Sequence, residues 1–223
     1  MITPRSNAAR TARVAPKPWR RRMLRGFVAL ALIAAAACSS PPDDDAKYLK
    51  ELQDFRAERE QFMRSDAESP IPAARKEVLL PLKYYPPDPS FVAPAVLRVG
   101  QERPVFEMPT STGTIRRNEL VGVLEFTLQG QPMTLGAFVE EGTKRISTLF
   151  VPFADQTTGK ETYQAGRYLD LHPTATNIYT IDFNRAYNPY CAYNNSYECP
   201  FPPPSNRLKI AVRAGEKLPV PGA

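Results

Sequence analysis

Polar and aromatic side chains with chemical potential concentrate near the C-terminus of this sequence. Asp182, Asn184, Arg185, Tyr187, Asn188 and Tyr190 follow one another off the end of a predicted strand, with Glu161 and Arg167 upstream. Tyrosine faces supply flat apolar surface, and Asn, Asp and Arg supply directional donors and acceptors. That combination suits a polar ligand such as a sugar or peptidoglycan fragment. The same groups could instead satisfy one another as a self-contained polar knot, with Asn and Asp closing turns and Arg bridging carbonyls. Hydrolysis of a glycan would need two carboxylates facing one cleft; Glu161, Asp170, Asp182 and Glu216 are the candidates, and spacing alone does not set their separation.

Other chemistries are disfavoured by the motifs. Gly159-Lys160 stands without the rest of a phosphate-binding loop, and the chain has no GxGxxG, HExxH or GxSxG. No cofactor is therefore expected, no residue is assigned as catalytic, and the balance leans away from an enzyme. The single histidine, His172, precedes Pro173 and reads as an exposed turn residue. Cys191 and Cys199 read first as a disulfide that closes a nine-residue loop, worth about 2.5 kcal/mol in the chain-entropy model. Their spacing does not match the short knuckles of structural zinc, so no metal site is expected.

The formal charge of +6 is unevenly spread. Eight of the 29 basic residues lie within residues 1–37, which hold no acid, so residues 38–223 carry 21 bases against 23 acids. A nucleic-acid partner is disfavoured, because its electrostatic footprint must sit on the folded part.

Residues 1–37 read as an export signal. Arginines precede the apolar run GFVALALIAAAA, which is too short to span a bilayer. Ala35-Ala36-Ala37-Cys38 is similar to a bacterial lipoprotein cleavage box, which would make Cys38 the lipidated first residue of the mature chain; ordinary cleavage to a soluble exported protein is the alternative. Met23 could be the true start, and Arg20-Arg21-Arg22 resembles a twin-arginine signal. Ser39 rather than Asp after the cysteine favours the outer membrane in a Gram-negative cell. The oxidising compartment beyond the membrane is what favours the disulfide.

The elements that must position the C-terminal side chains follow from periodicity. Residues 38–44 form a tether, and residues 45–65 form an amphipathic helix with Tyr48, Leu52, Phe55 and Phe62 on one face, interrupted by Arg59. Asp43 to Asp45 start it favourably, and Glu60 and Arg64 form an i,i+4 pair. Residues 66–94 are rich in proline, yet carry Leu79, Leu80, Tyr84, Tyr85 and Phe91, so this segment should lie against the fold. From residue 95 to 218 the pattern turns to short alternating stretches: Ala95 to Val99, Val105 to Met108, Glu119 to Leu128, Met133 to Val139, Arg145 to Val151, Gly166 to Leu171, Ile178 to Phe183 and Arg207 to Val212. Gln129-Gly130-Gln131 makes a hairpin of the third and fourth. The expected fold is mainly β, a single antiparallel barrel or sandwich domain after one N-terminal helix.

The tracts FADQTTGKETYQAGRYLDL, DFNRAYNPYCAY and CPFPPPSN resemble the C-terminal signature of DUF1684, an uncharacterised bacterial family, over about residues 90–218. The resemblance implies that residues 155–216 are the family's defining part, and it brings no activity, cofactor or catalytic residue. The chain is accordingly expected to be an exported, lipid-anchored envelope protein that binds a polar ligand or partner through its β domain. Two alternatives are an envelope hydrolase using a carboxylate pair, and a structural or assembly lipoprotein without a small-molecule site.

Overall fold

The computed structural model describes residues 43–219; the expected signal of residues 1–37, Cys38 and residues 38–42 of the expected tether lie outside the described residues, while Asp43 and Asp44, expected in the tether, already belong to the first helix. Helix α1 spans Asp43–Ser65, and a short helix α2 spans Lys76–Leu79. The strands are β1 (Val92–Val99), β2 (Val105–Pro109), β3 (Ile115–Leu128), β4 (Gln131–Glu140), β5 (Leu149–Phe153), β6 (Arg167–Leu171) and β7 (Ile178–Asp182). They form one antiparallel sheet in the order β6-β5-β4-β3-β1-β7, with β2 beside the first half of β3. The sheet curls on itself into a half-barrel, so the domain is mainly β, as expected, with one long helix before it. Among the described residues no helix is long and apolar enough to cross a membrane.

Alternation divides the sheet into two working faces. Ala95, Leu97, Leu124, Phe126, Leu135, Ala137, Leu149, Val151, Leu169 and Ile181 turn to the main core. Between Leu120 and Gly122 the register of β3 shifts by one residue, which reverses the parity of the strand's first half. A Cβ at Gly122 would come within 2.5 Å of the Arg98 carbonyl, so this crossing needs glycine. On the opposite face, Phe138 pairs in register with Phe150, and Phe150 with Asp170, forming a row that leads away from the core.

Seven of the eight expected strands are present. The fifth begins at Leu149 rather than Arg145, and the eighth, Arg207 to Val212, is absent as a strand. Its alternation is real: Leu208, Ile210 and Val212 are buried in the core. Its backbone, however, is satisfied differently. Leu208 N donates to the Ala154 carbonyl at 2.8 Å and Gln156 N to the Ile210 carbonyl at 3.0 Å, after which a side chain takes over. The Arg167 guanidinium, fully buried, donates to the carbonyls of Val212 at 2.8 Å, of Ala214, and of Glu216 at 3.2 Å, and pairs with Asp155 at 2.9 Å. One arginine thus stands where a neighbouring strand would. Asn206 does similar work nearby, bonding both Gly136 backbone groups and the Pro152 carbonyl.

The proline-rich segment is laid against the fold as its apolar residues require. Leu79, Leu80, Leu82 and Ile71 pack with Met63 of α1 and Tyr193 in a second, smaller core. Tyr85 N donates to the Gly215 carbonyl and Lys217 N to the Lys83 carbonyl, which ties residues 83–85 to the C-terminal tract. Gly215 has φ +77°, and a Cβ there would meet the Ala186 carbonyl at 2.6 Å.

Breaking a buried pair leaves its partner charged and unsolvated, which costs far more than removing both. Asp155→Ala should therefore destabilise the protein by about 3–5 kcal/mol, read as a lowered urea midpoint with an unchanged slope; a loss below about 1 kcal/mol would show that Arg167 is held adequately by carbonyls alone.

Candidate functional site

The face of the sheet opposite the main core borders a groove of about 980 Å3. Its side chains arrive from four directions. The parity of β6 turns Tyr168 and Asp170 into the groove while Arg167, Leu169 and Leu171 point the other way. Phe150 of β5, Glu140 of β4, and Arg116 and Asn118 of β3 continue the same face. Helix α1 closes one side with Phe55, Glu58, Arg59 and Phe62. Residues 183–200 supply Arg185, Tyr187, Tyr190, Tyr197 and Cys199.

Tyr187 is placed by the backbone. It exchanges hydrogen bonds with Tyr168, N to O at 2.9 and 3.0 Å, and so extends β6's neighbourhood by a single bridged residue. Its hydroxyl then donates to Asp170 Oδ2 at 2.7 Å. Burial raises the Asp170 pKa above the ordinary carboxylate value, with the Tyr187 bond and the Arg59 charge opposing the rise. Asp170 is nonetheless reachable by solvent, being sunk in an open groove rather than sealed in the core.

Helix α1 is fixed to this region by its charged residues. Arg59, which interrupts the apolar stripe, donates to Glu216 Oε1 and to the Asn188 carbonyl at 3.3 Å, and lies over the Tyr187 ring at 4.6 Å. Glu216, 1% exposed, also accepts from Tyr193 OH at 2.7 Å, Asn188 N at 2.8 Å and Tyr84 OH at 3.3 Å. Arg56 donates to the carbonyls of Tyr85 and Asn184, and Tyr48 OH to Asp182 at 3.1 Å. Burial and the Asp182 charge push the Tyr48 hydroxyl pKa upward. The expected Glu60 to Arg64 pair forms at 2.5 Å, and Glu60 also accepts from Leu82 N.

Of the eight residues singled out in the sequence, three line the groove and five do not. Arg185, Tyr187 and Tyr190 line the groove. Arg167, Asn184 and Asn188 are fully buried, and their side-chain bonds run to backbone and to Asp155 and Asp182. Asp182 closes the turn of residues 183–185 by accepting from Asn184 N at 2.9 Å, and lies 3.3 Å from Arg185 Nε. Glu161 is away from the groove, in a two-point pair with Arg213 that lowers its pKa, and it accepts from Tyr85 OH at 3.0 Å. Of the four carboxylates considered for hydrolysis, Glu161, Asp182 and Glu216 are each held by an arginine, and Asp170 is the one that lines the groove.

His172 sits exposed at the groove's edge, Nδ1 3.3 Å from the Ser147 carbonyl. Tyr168, Phe150 and Glu140 were not singled out from the sequence, although the alternation of Arg167 to Leu171 already places Tyr168 and Asp170 together on one face. Cys191 and Cys199 are buried neighbours, both free thiols, with Cys191 N donating to Cys199 Sγ at 3.1 Å. A hydrogen bond from the Cys199 thiol lowers the Cys191 thiol pKa, and the same contact raises that of Cys199. Cys191 faces a second cavity of about 620 Å3 with Tyr163 and Arg207.

Comparison with known proteins places these features in context. The model of the protein family of unknown function DUF1684 matches residues 80–217. The solution NMR structure of an uncharacterized protein of Haloarcula marismortui is 37% identical, with a TM-score of 0.63, covering 78% of this chain and 96% of that one. No curated protein matches the chain.

Asp170 should behave unlike the structural carboxylates. Its folded pKa is raised, so its stabilising influence is complete below the unfolded value and is lost as pH rises through the folded one. Asp170→Asn should therefore leave the melting temperature at pH 7 unchanged or higher, with the advantage shrinking as pH falls to 3. A melting temperature lowered at pH 7 would instead make Asp170 a structural carboxylate.

Proposed function

This chain belongs to the DUF1684 family of proteins of unknown function, and we propose that it is an exported, lipid-anchored cell-envelope protein that holds a polar ligand in the groove between α1 and β6. The groove carries the reading. It joins aromatic surface to a small set of polar side chains, Asp170, Tyr187, Arg185 and Asn118, in a volume at the upper end of those that accept small molecules. The buried bonds of Glu216, Asp182 and Asn184 hold these walls in place, so the site is organised before any ligand arrives. Export and anchoring rest on the arginine-led apolar run and on Cys38 after Ala35-Ala36-Ala37. A binding role is preferred to hydrolysis by the four carboxylates named from the sequence, because arginines hold three of them and, of the four, Asp170 alone lines the groove, which Glu58 and Glu140 also line.

In the oxidising envelope, Cys191 and Cys199 would close their nine-residue loop as a disulfide beside the groove wall formed by Tyr190 and Tyr197.

The ligand reading is tested by NMR titration of the full chain with a panel of small polar compounds, neutral, anionic and cationic. Perturbed resonances should cluster on Phe150, Tyr168, Tyr187 and Tyr190; perturbations centred elsewhere, or none from any compound, would overturn it. Mass spectrometry of protein isolated from membranes checks the rest. A diacyl or triacyl group on Cys38 and, without reductant, a peptide joining Cys191 to Cys199 are expected. An unmodified mature N-terminus away from Cys38 would refute the anchor, and two alkylatable thiols would refute the disulfide.

A further inference from the structure

We infer that the ligand presents an organic cation, an alkylammonium group, to the groove; this rests on the reading of the groove as a ligand site. The first observation is the construction of the walls. Phe150 meets Tyr168 edge to face at 4.7 Å, and Tyr168 meets Tyr187 at 5.9 Å. On the other side, Phe62 stacks on Tyr190 at 6.4 Å and Tyr190 meets Tyr197 edge to face at 5.3 Å. The aromatic face carries negative electrostatic potential and attracts cations within about 6 Å of the ring centre. Rings of the groove already do this within the fold: the Arg59 guanidinium lies 4.6 Å from the Tyr187 centroid and that of Arg185 lies 5.0 Å from the centroid of Phe55.

Charge at the site gives the second observation. The three arginines of the groove are each neutralised by a carboxylate: Arg59 by Glu216, Arg185 by Asp182 at 3.3 Å, and Arg116 by Glu198 at 3.5 Å. Glu58, Glu140 and Asp170 also line the groove, and none has a Lys or Arg partner within 4 Å among the described residues. An anionic ligand would meet three unpaired carboxylates, whereas a cation meets them together with aromatic faces. Asp170 is the best placed of the three. Tyr187 OH occupies Oδ2 at 2.7 Å, and Oδ1 accepts no hydrogen bond among the described residues. A solvent-reachable carboxylate oxygen free of protein donors can take a cation, and an alkylammonium group is a weakly hydrated one whose methyl groups also pack on rings.

Such a group occurs on free solutes and on lipid headgroups, and the probes separate these sources. Calorimetry on the full chain should detect choline in the groove, with the neutral isostere 3,3-dimethylbutan-1-ol bound at least tenfold more weakly. Dihexanoylphosphatidylcholine, used below its micelle concentration, should bind more tightly than choline if the source is a lipid and less tightly if it is a free solute; both outcomes carry the same cation. Asp170→Asn and, separately, the exposed Glu140→Gln should each weaken choline by tenfold or more while leaving the isostere unchanged. Equal affinity for choline and the isostere, or groove binding of N-acetylglucosamine without choline, would overturn the cation and leave the groove reading standing. If no probe of any charge perturbs groove resonances, both fall.

Discussion

Everything in this domain depends on two buried charges joined by a few residues of backbone. Arg167 is withdrawn from water and compensated by Asp155 and the carbonyls of residues 212, 214 and 216. Glu216, whose carbonyl Arg167 holds, sends its carboxylate the other way, to Arg59, Tyr193 and the Asn188 amide. Either charge alone in a low-dielectric interior would be strongly unfavourable. Together they specify a single path for residues 212–217 and a single seat for α1. The glycine at 215, with its positive φ, lets the chain pass between them against the Ala186 carbonyl.

The groove is a consequence of that arrangement. Seating α1 through Arg59 brings Phe55 and Phe62 opposite β6, and seating residues 183–188 through Glu216 and Asp182 brings Tyr187 beside Asp170. The polar knot and the groove wall are therefore different residues of the same tract rather than rival descriptions of it. Asn184, Asn188 and Arg167 spend their hydrogen bonds on structure, which frees Tyr187, Tyr190 and Arg185 to stand at the surface of the groove. The formal charge of the whole chain describes none of this, because the positive excess belongs to residues 1–37, while three carboxylates of the groove have no Lys or Arg partner among the described residues.

Local patterning made most of the fold legible. Period-two alternation located seven strands and the hairpin at Gln129 to Gln131, because side chains on a half-buried sheet must alternate whatever their partners are. The stripe of Tyr48, Leu52, Phe55 and Phe62 located α1 for the same kind of reason. Two inferences failed instructively. Residues 207–212 alternate like a strand, yet an arginine side chain takes the carbonyls that follow; and Arg59, which interrupts the apolar face, ties the helix to buried Glu216. In each case the deciding partner is far away in sequence, Arg167 for residue 212 and Glu216 for residue 59.

By itself, then, the sequence determined the mainly β class, the single N-terminal helix and the apolar docking of the proline-rich segment, since these depend on periodicity and composition that any neighbour would satisfy. Only the tertiary structure decided which polar residues of the tract from residue 161 to 216 are consumed inside and which face the groove. Parity along β6 separates Arg167 from Asp170, and residues brought from α1, β3, β4 and β5 supply the other walls. Burial of a charge is a property of everything packed around it, and that cannot be read along the chain.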